Sequence, residues 1–141
     1  MLRLILAESL YAQNRQYEAE VICSEVRSHS KLLKMEKLRL SIIFAKLAHV
    51  NARYEEALRY WTDAMTSIQR YNLANGHTTR IIILSISHVL RQEGDFETEA
   101  KSWDQLRMLE RLARPTGVFY WIGGLRHWLT YLESINNRSR M

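Results

Sequence analysis

The stretch LSIIFAKLAHVNARYEEALRYWTDAM, residues 40–65, decides the fold of this chain. Its apolar residues recur every three or four positions, which is the spacing of one face of an α-helix. The polar corner at residues 51–53, Asn-Ala-Arg, interrupts this pattern only briefly. A connection this short places consecutive helices side by side and antiparallel. The stretch therefore predicts a helical hairpin, with helices over Leu38–Val50 and Tyr54–Ile68.

The same pattern occurs before and after this hairpin. Helices of two further hairpins are predicted over Leu2–Gln13, Tyr17–Arg27, Arg80–Gln92 and Phe96–Leu112. The last of these hairpins has Gly94 at its corner, and glycine suits the left-handed residue that ends many helices. An aromatic segment at Val118–Ile135 predicts one more helix.

We therefore predict an all-α fold of about three antiparallel helical hairpins followed by a terminal helix. Five glycines and one proline in 141 residues agree with long helices and few connections. This length suits one domain, at residues 1–135, and the polar segment 136–141 is predicted to be a basic flexible tail. A four-helix bundle is the competing architecture.

Large and small residues recur at matched positions of the hairpins. Tyr54 and Trp61 are seven residues apart, and so are Phe96 and Trp103. Small residues occupy another matched position, at Ala7, Ala45 and Ser87. These three are separated by 38 and 42 residues. The arrangement resembles the tetratricopeptide repeat family, with repeats longer than the usual length of about 34 residues.

In the tetratricopeptide family, stacked hairpins form a right-handed superhelix, because one hairpin cannot cover its own apolar face. The first helices of the hairpins line a concave groove, which usually holds a peptide or helix of another protein. The resemblance thus implies that the chain is a protein-interaction scaffold. Carried over by matched position, the groove would contain Tyr11, Lys46, His49, Ser85, His88, Arg91, Gln92, His127 and Trp128.

This predicted groove is basic and aromatic, which suits an acidic peptide. Its histidines would gain charge between about pH 7 and 6 and strengthen that attraction. Lys46 and Arg91 are expected to lie outside the core, whereas Trp61 and Trp103 are expected to be buried. Glu99 departs from the pattern, since it stands where the second hairpin has a small alanine. The alternative is that several groove residues pack within or between the hairpins.

No motif in the chain indicates catalysis or a bound cofactor. The sequence contains no HExxH pair, no glycine-rich phosphate loop and no serine flanked by glycines. His49, His88 and His127 fall at about one per hairpin, whereas a metal site needs three or four converging ligands. Cys23 lies on an apolar helical stripe and is expected to be buried and inert. We expect no enzyme activity, no metal and no cofactor.

The composition indicates an intracellular protein. A single cysteine leaves no internal disulfide, no cleavage site follows the N-terminal apolar residues, and no apolar run approaches about 18 residues. We therefore expect a cytoplasmic location and no membrane segment. The net charge of +5 favours anionic partners. Acidic residues interrupt most basic stripes, which argues against nucleic acid as the partner.

The apolar N-terminal helix favours a second function. Leu2, Leu4, Ile5 and Leu6 precede any polar capping segment, although terminal repeats normally present a polar outer face. The alternative prediction is therefore a self-associating or regulatory segment of a longer helical solenoid. A homo-oligomer would then form through this N-terminal helix.

Overall fold

The computed structural model of the chain describes residues 2–28, 31–70, 77–112 and 125–139. Within these ranges the chain forms seven α-helices and no strand, so the predicted all-α fold is confirmed. The helices are α1 (Leu2–Ala12), α2 (Gln16–Arg27), α3 (Lys34–Val50), α4 (Tyr54–Arg70), α5 (His77–Glu93), α6 (Phe96–Leu112) and α7 (Leu125–Ser139).

Two helix ends differ from the sequence-based prediction by four residues. α3 begins four residues earlier than predicted, at Lys34. There the Glu36 carboxylate accepts the backbone N–H of Leu33 at 3.2 Å, which caps the first turn. α7 continues to Ser139, so residues 136–139 of the predicted flexible tail are helical. The predicted helical residues 118–124 and the last two tail residues, 140–141, lie outside the described part of the chain.

The three hairpin corners share one hydrogen-bond pattern. At each corner a backbone N–H donates to the C=O five residues earlier, in the pairs Arg15 to Leu10, Arg53 to Ala48 and Asp95 to Leu90, each at 2.9 Å. The residue before each donor is left-handed, namely Asn14 (φ 63°), Ala52 (φ 59°) and Gly94 (φ 78°). This is the Schellman arrangement of a helix C-terminus. The corners are separated by 38 and 42 residues, the same spacing as the matched small residues.

The core lies between the helices of each hairpin and between consecutive hairpins. α1 packs with α2, α3 with α4, and α5 with α6, while α2 meets α3 and α4 meets α5. The matched small residues Ala7, Ala45 and Ser87 are all buried, which lets the helices approach closely. Trp61 is fully buried, as predicted. Trp103 is only half-buried.

α7 packs against the first helices of all three hairpins. The Trp128 indole N–H donates to Ser85 Oγ on α5 at 2.8 Å, and the Trp128 ring centroid lies 4.9 Å from that of His49 on α3. His127 meets Tyr11 of α1 edge to face, with ring centroids 6.1 Å apart. α7 therefore lies across one face of α1, α3 and α5. We call this face the inner surface; it carries Tyr11, Lys46, His49, Ser85 and His88.

Candidate binding site on the inner surface

The structure divides the nine predicted groove residues by burial. Tyr11, Lys46, His49, Ser85 and Trp128 are each at most 4% exposed. His88 is half-buried, while Arg91, Gln92 and His127 are exposed. Seven of the nine belong to α1, α3 and α5, whereas His127 and Trp128 reach the inner surface from α7. Packing therefore accounts for most of the set, as the alternative interpretation held.

Two histidines that the sequence placed on the same surface are in direct contact. His49 Nε2 lies 2.7 Å from His88 Nδ1, and the rings are stacked at 19° with centroids 4.9 Å apart. The Trp61 indole N–H donates to His49 Nδ1 at 3.2 Å. An indole nitrogen can only donate, so the proton of His49 is on Nε2 and is donated to His88. His88 then carries its proton on Nε2, which lies 3.5 Å from Gln92 Nε2; because both atoms are donors, this contact is not a hydrogen bond.

Burial keeps this histidine pair neutral. Desolvation lowers the pKa of His49 to about 3, and the neighbouring His88 acts in the same direction. Desolvation also lowers the pKa of His88, with Arg91 adding to the effect and Glu99 opposing it. The expectation that His49 gains charge between pH 7 and 6 is therefore wrong, because a charged imidazole would lose its hydration here, and burial shifts the pKa of His88 in the same direction.

Lys46 is a core residue, so the expectation that it lies outside the core is wrong. It is 1% exposed, and its Nζ lies 4.6 Å from the centroid of the Tyr11 ring. Desolvation lowers the pKa of Lys46 to about 8, against the opposing effect of Glu8. The pKa of Glu8 is raised by desolvation, although Arg39, 3.4 Å away, and Lys46 oppose the shift. Sequence reasoning missed Glu8, which is the acidic partner of this buried cluster.

In the third hairpin a carboxylate replaces the acceptor that His49 provides in the second. Arg91 stands at the position matched to His49, and Trp103 at the position matched to Trp61. A guanidinium cannot accept the indole N–H. Instead Glu99 Oε2 accepts it from Trp103 at 3.0 Å and pairs with Arg91 Nε at 3.3 Å. Glu99 therefore departs from the small-residue pattern because Arg91 leaves Trp103 without an acceptor.

Part of the inner surface remains open beside the hairpin corners. A cleft of about 280 Å³ is lined by His49, Val50, Tyr54, His88, Gln92, Tyr131 and Ile135. The histidine pair lines this cleft on α3 and α5, and Tyr131 and Ile135 line it on α7. Gln92 is an exposed predicted groove residue that borders this cleft.

The remaining sequence-based expectations concern metals, thiols and membranes. Over the described ranges, no group of three or more His, Cys, Asp or Glu side chains is arranged to hold a metal ion. Cys23 is buried as predicted, and desolvation raises the pKa of its thiol to about 12. None of the described helices is long and apolar enough to cross a membrane.

Comparison with known proteins adds no family assignment. A scan against protein-family models, a search of the curated proteins and a search of the solved structures each found no match to this chain.

Proposed function

We propose that this chain is a protein-interaction module whose inner surface binds an α-helix of a partner protein. The observation that carries the proposal is the way this surface holds α7. Trp128 is fully buried there, and its indole N–H is satisfied by Ser85. A large aromatic anchor in a desolvated site with its polar atom paired is the usual centre of a tight protein interface. The binding mode is that of a helix lying in a groove.

Three corners with the same Schellman hydrogen bonds support the further proposal that the hairpins are tetratricopeptide-like repeats. Their separations of 38 and 42 residues equal those of the buried residues Ala7, Ala45 and Ser87. Matched corners and matched small residues would stack successive hairpins in similar ways. We propose a right-handed superhelix on the same basis.

The chemistry of the inner surface favours an apolar and aromatic partner helix over an acidic peptide. Lys46 is enclosed in the core, and His49 and His88 are neutral. Arg91 is exposed, but its guanidinium is already paired with Glu99. Buried aromatic contacts therefore contribute more to recognition than exposed charge pairs, which are worth about 0–1 kcal/mol each.

Site-specific photocrosslinking tests the proposed surface. One variant would carry a benzophenone side chain in place of Gln92, at the rim of the cleft. A second variant, the control, would carry it in place of Lys101, which is exposed on α6. Both proteins would be irradiated in lysate from the source cells, and mass spectrometry would identify the crosslinked partner segment. We expect position 92 to capture a helical segment of one partner and position 101 to capture none. A partner captured from position 101 and not from position 92 would place binding on another surface.

A second candidate function, self-association, is favoured by the outer face of α1. Ile5 and Leu6 are 45% and 51% exposed, whereas the residues at their matched positions on α3, Ile43 and Phe44, are 0% and 8% exposed. In the second hairpin the preceding hairpin covers this face, and Arg27 lies 4.7 Å from the Phe44 ring centroid. The corresponding face of α1 therefore has the composition of an interface between hairpins.

Sedimentation velocity over a range of concentrations tests self-association. We expect a concentration-dependent oligomer that Leu6→Glu converts to a monomer and that Gln13→Glu, an exposed change at the end of α1, leaves intact. A wild-type protein that stays monomeric at every concentration would eliminate this candidate.

A further inference from the structure

We propose that α7 is an intramolecular competitor, which occupies the inner surface and must be displaced by a helix anchored by tryptophan before a partner can bind. This inference rests on the proposed function, since it concerns the same surface. It names both the regulation of that surface and the chemistry of its partner.

α7 is placed as a bound helix would be. Each preceding hairpin consists of two helices that are consecutive in the chain and pack together, but the main packing neighbour of α7 is α5 rather than α6. α7 contacts the inner surface with one apolar stripe, Trp128, Tyr131, Leu132 and Ile135. These positions, at spacings of three and four residues, are those by which amphipathic helices enter grooves. Glu133 and Ser134, on its opposite side, are exposed.

The inner surface selects a hydrogen-bond donor at the anchor position. The Ser85 hydroxyl donates to the C=O of Ile81 at 2.8 Å, so its proton is already used. Its oxygen is left as an acceptor, and the Trp128 indole N–H fills that role at 2.8 Å. A phenylalanine or a carboxylate at this place could not supply the donor. Tryptophan supplies the donor on a large apolar ring, as Trp128 does, so we take the partner to be an amphipathic helix with tryptophan at the anchor and large apolar residues three, four and seven positions later.

The cover provided by α7 is incomplete where the cleft lies. Tyr131 and Ile135 are half-buried, and the cleft of about 280 Å³ between them and the histidine pair is open. An incoming helix can contact this open part while the Trp128 end of α7 is still bound. Displacement then proceeds as the apolar stripe of the incoming helix replaces the apolar stripe of α7, which has the same chemistry.

The test uses a fluorescein-labelled peptide with the sequence of residues 125–139 as the incoming helix, and the full chain as the receptor. Its affinity would be measured by fluorescence anisotropy for the wild type, for Trp128→Ala and for Glu133→Gln, an exposed change on α7. We expect the peptide to bind Trp128→Ala at least tenfold more tightly than the wild type, because the weakened α7 competes less. Glu133→Gln should match the wild type. Tyr131→Ala, a milder change, replaces Trp128→Ala if that variant loses its helical circular dichroism.

A second measurement tests whether the anchor position requires a hydrogen-bond donor. Ser85→Ala combined with either α7 variant should weaken binding of the tryptophan peptide several-fold, while a peptide with phenylalanine at the anchor should be unaffected by the same change.

The outcomes separate the two proposals. Equal peptide affinity for the wild type and the weakened-α7 variant would overturn competition by α7 and leave helix binding on the inner surface standing. A peptide that binds neither protein would overturn both. Equal sensitivity of both peptides to Ser85→Ala would overturn the tryptophan anchor.

Discussion

Replacing His49 with glutamine is expected to remove much of the acid sensitivity of this fold. His49 is buried, and its pKa is lowered to about 3, whereas an unfolded histidine has a pKa of about 6.5. Between these values the unfolded chain binds a proton that the folded chain does not. The folded state therefore has its full stability above about pH 6.5 and loses it as the pH falls.

The size of the stability loss follows from the pH range between the folded and unfolded pKa values of His49. Each pH unit below the pKa of the unfolded histidine lowers the free energy of unfolding by about 1.4 kcal/mol. Acidification from pH 7.5 to pH 5 should therefore lower it by about 2 kcal/mol in the wild type through His49 alone. The pKa of His88 is lowered as well, so His88 adds a loss of the same sign. Glutamine at position 49 does not titrate, and its amide oxygen can still accept the indole N–H of Trp61.

Urea unfolding followed by tryptophan fluorescence and circular dichroism would measure both proteins at pH 7.5 and pH 5. The stability of the wild type relative to His49→Gln should fall by about 2 kcal/mol on acidification, because titrating groups that do not contact position 49 cancel in this comparison. Ser85→Ala, a buried change without titration, should keep the full wild-type pH dependence. Equal acid losses in wild type and His49→Gln would refute this reasoning, because His49 would then bind its proton in the folded state.

Three further pairs of substitutions test the packing and the hairpin corners. Trp61→Ala should cost about 3–5 kcal/mol in urea unfolding, and Trp103→Ala, at a half-buried site, clearly less; equal costs would contradict the burial difference. Gly94→Ala should destabilise by about 1 kcal/mol, because its φ of 78° strains any side chain even in open space. Ala52→Gly, at φ 59°, should be neutral or stabilising in the same urea unfolding measurements, and a loss of stability there would contradict strain at the corner. Lys46→Glu should abolish the cooperative melting transition while Lys46→Met retains it; a normal melt for the glutamate variant would show that position 46 is not a core site.

Local signals were sufficient for the helices and their corners. The helical period located every hairpin, and the corner glycine at position 94 has the predicted left-handed backbone. The early start of α3 also had a local signal, since Glu36 stands three residues after Leu33 and bonds to its N–H. The start of the apolar period at Leu38 did not reveal it, because the added first turn is mostly polar and its one apolar residue, Met35, is only half-buried.

Long-range contacts were beyond the reach of the sequence. Matched positions placed His49 and His88 on one predicted surface, yet their direct hydrogen bond joins residues 39 apart and depends on how α3 and α5 stack. The sequence alone shows Glu99 only as a departure from the repeat. Its role as acceptor follows from Arg91 and Trp103, whose side chains meet at one carboxylate only in the folded hairpin.

The sequence by itself determined which side of each first helix a residue occupies, since helical periodicity depends only on near neighbours. The resemblance to the tetratricopeptide family then assigned Tyr11, Lys46, His49 and His88 to one common surface. Only the tertiary structure decided whether that surface faces solvent. Trp128 and the rest of the apolar stripe of α7 reach back across the inner surface, so His49 and Ser85, which the family resemblance assigned to an open groove, are buried. Burial is set by what packs over a helix face, and the helix that does so here is separated from α1 and α3 by much of the chain.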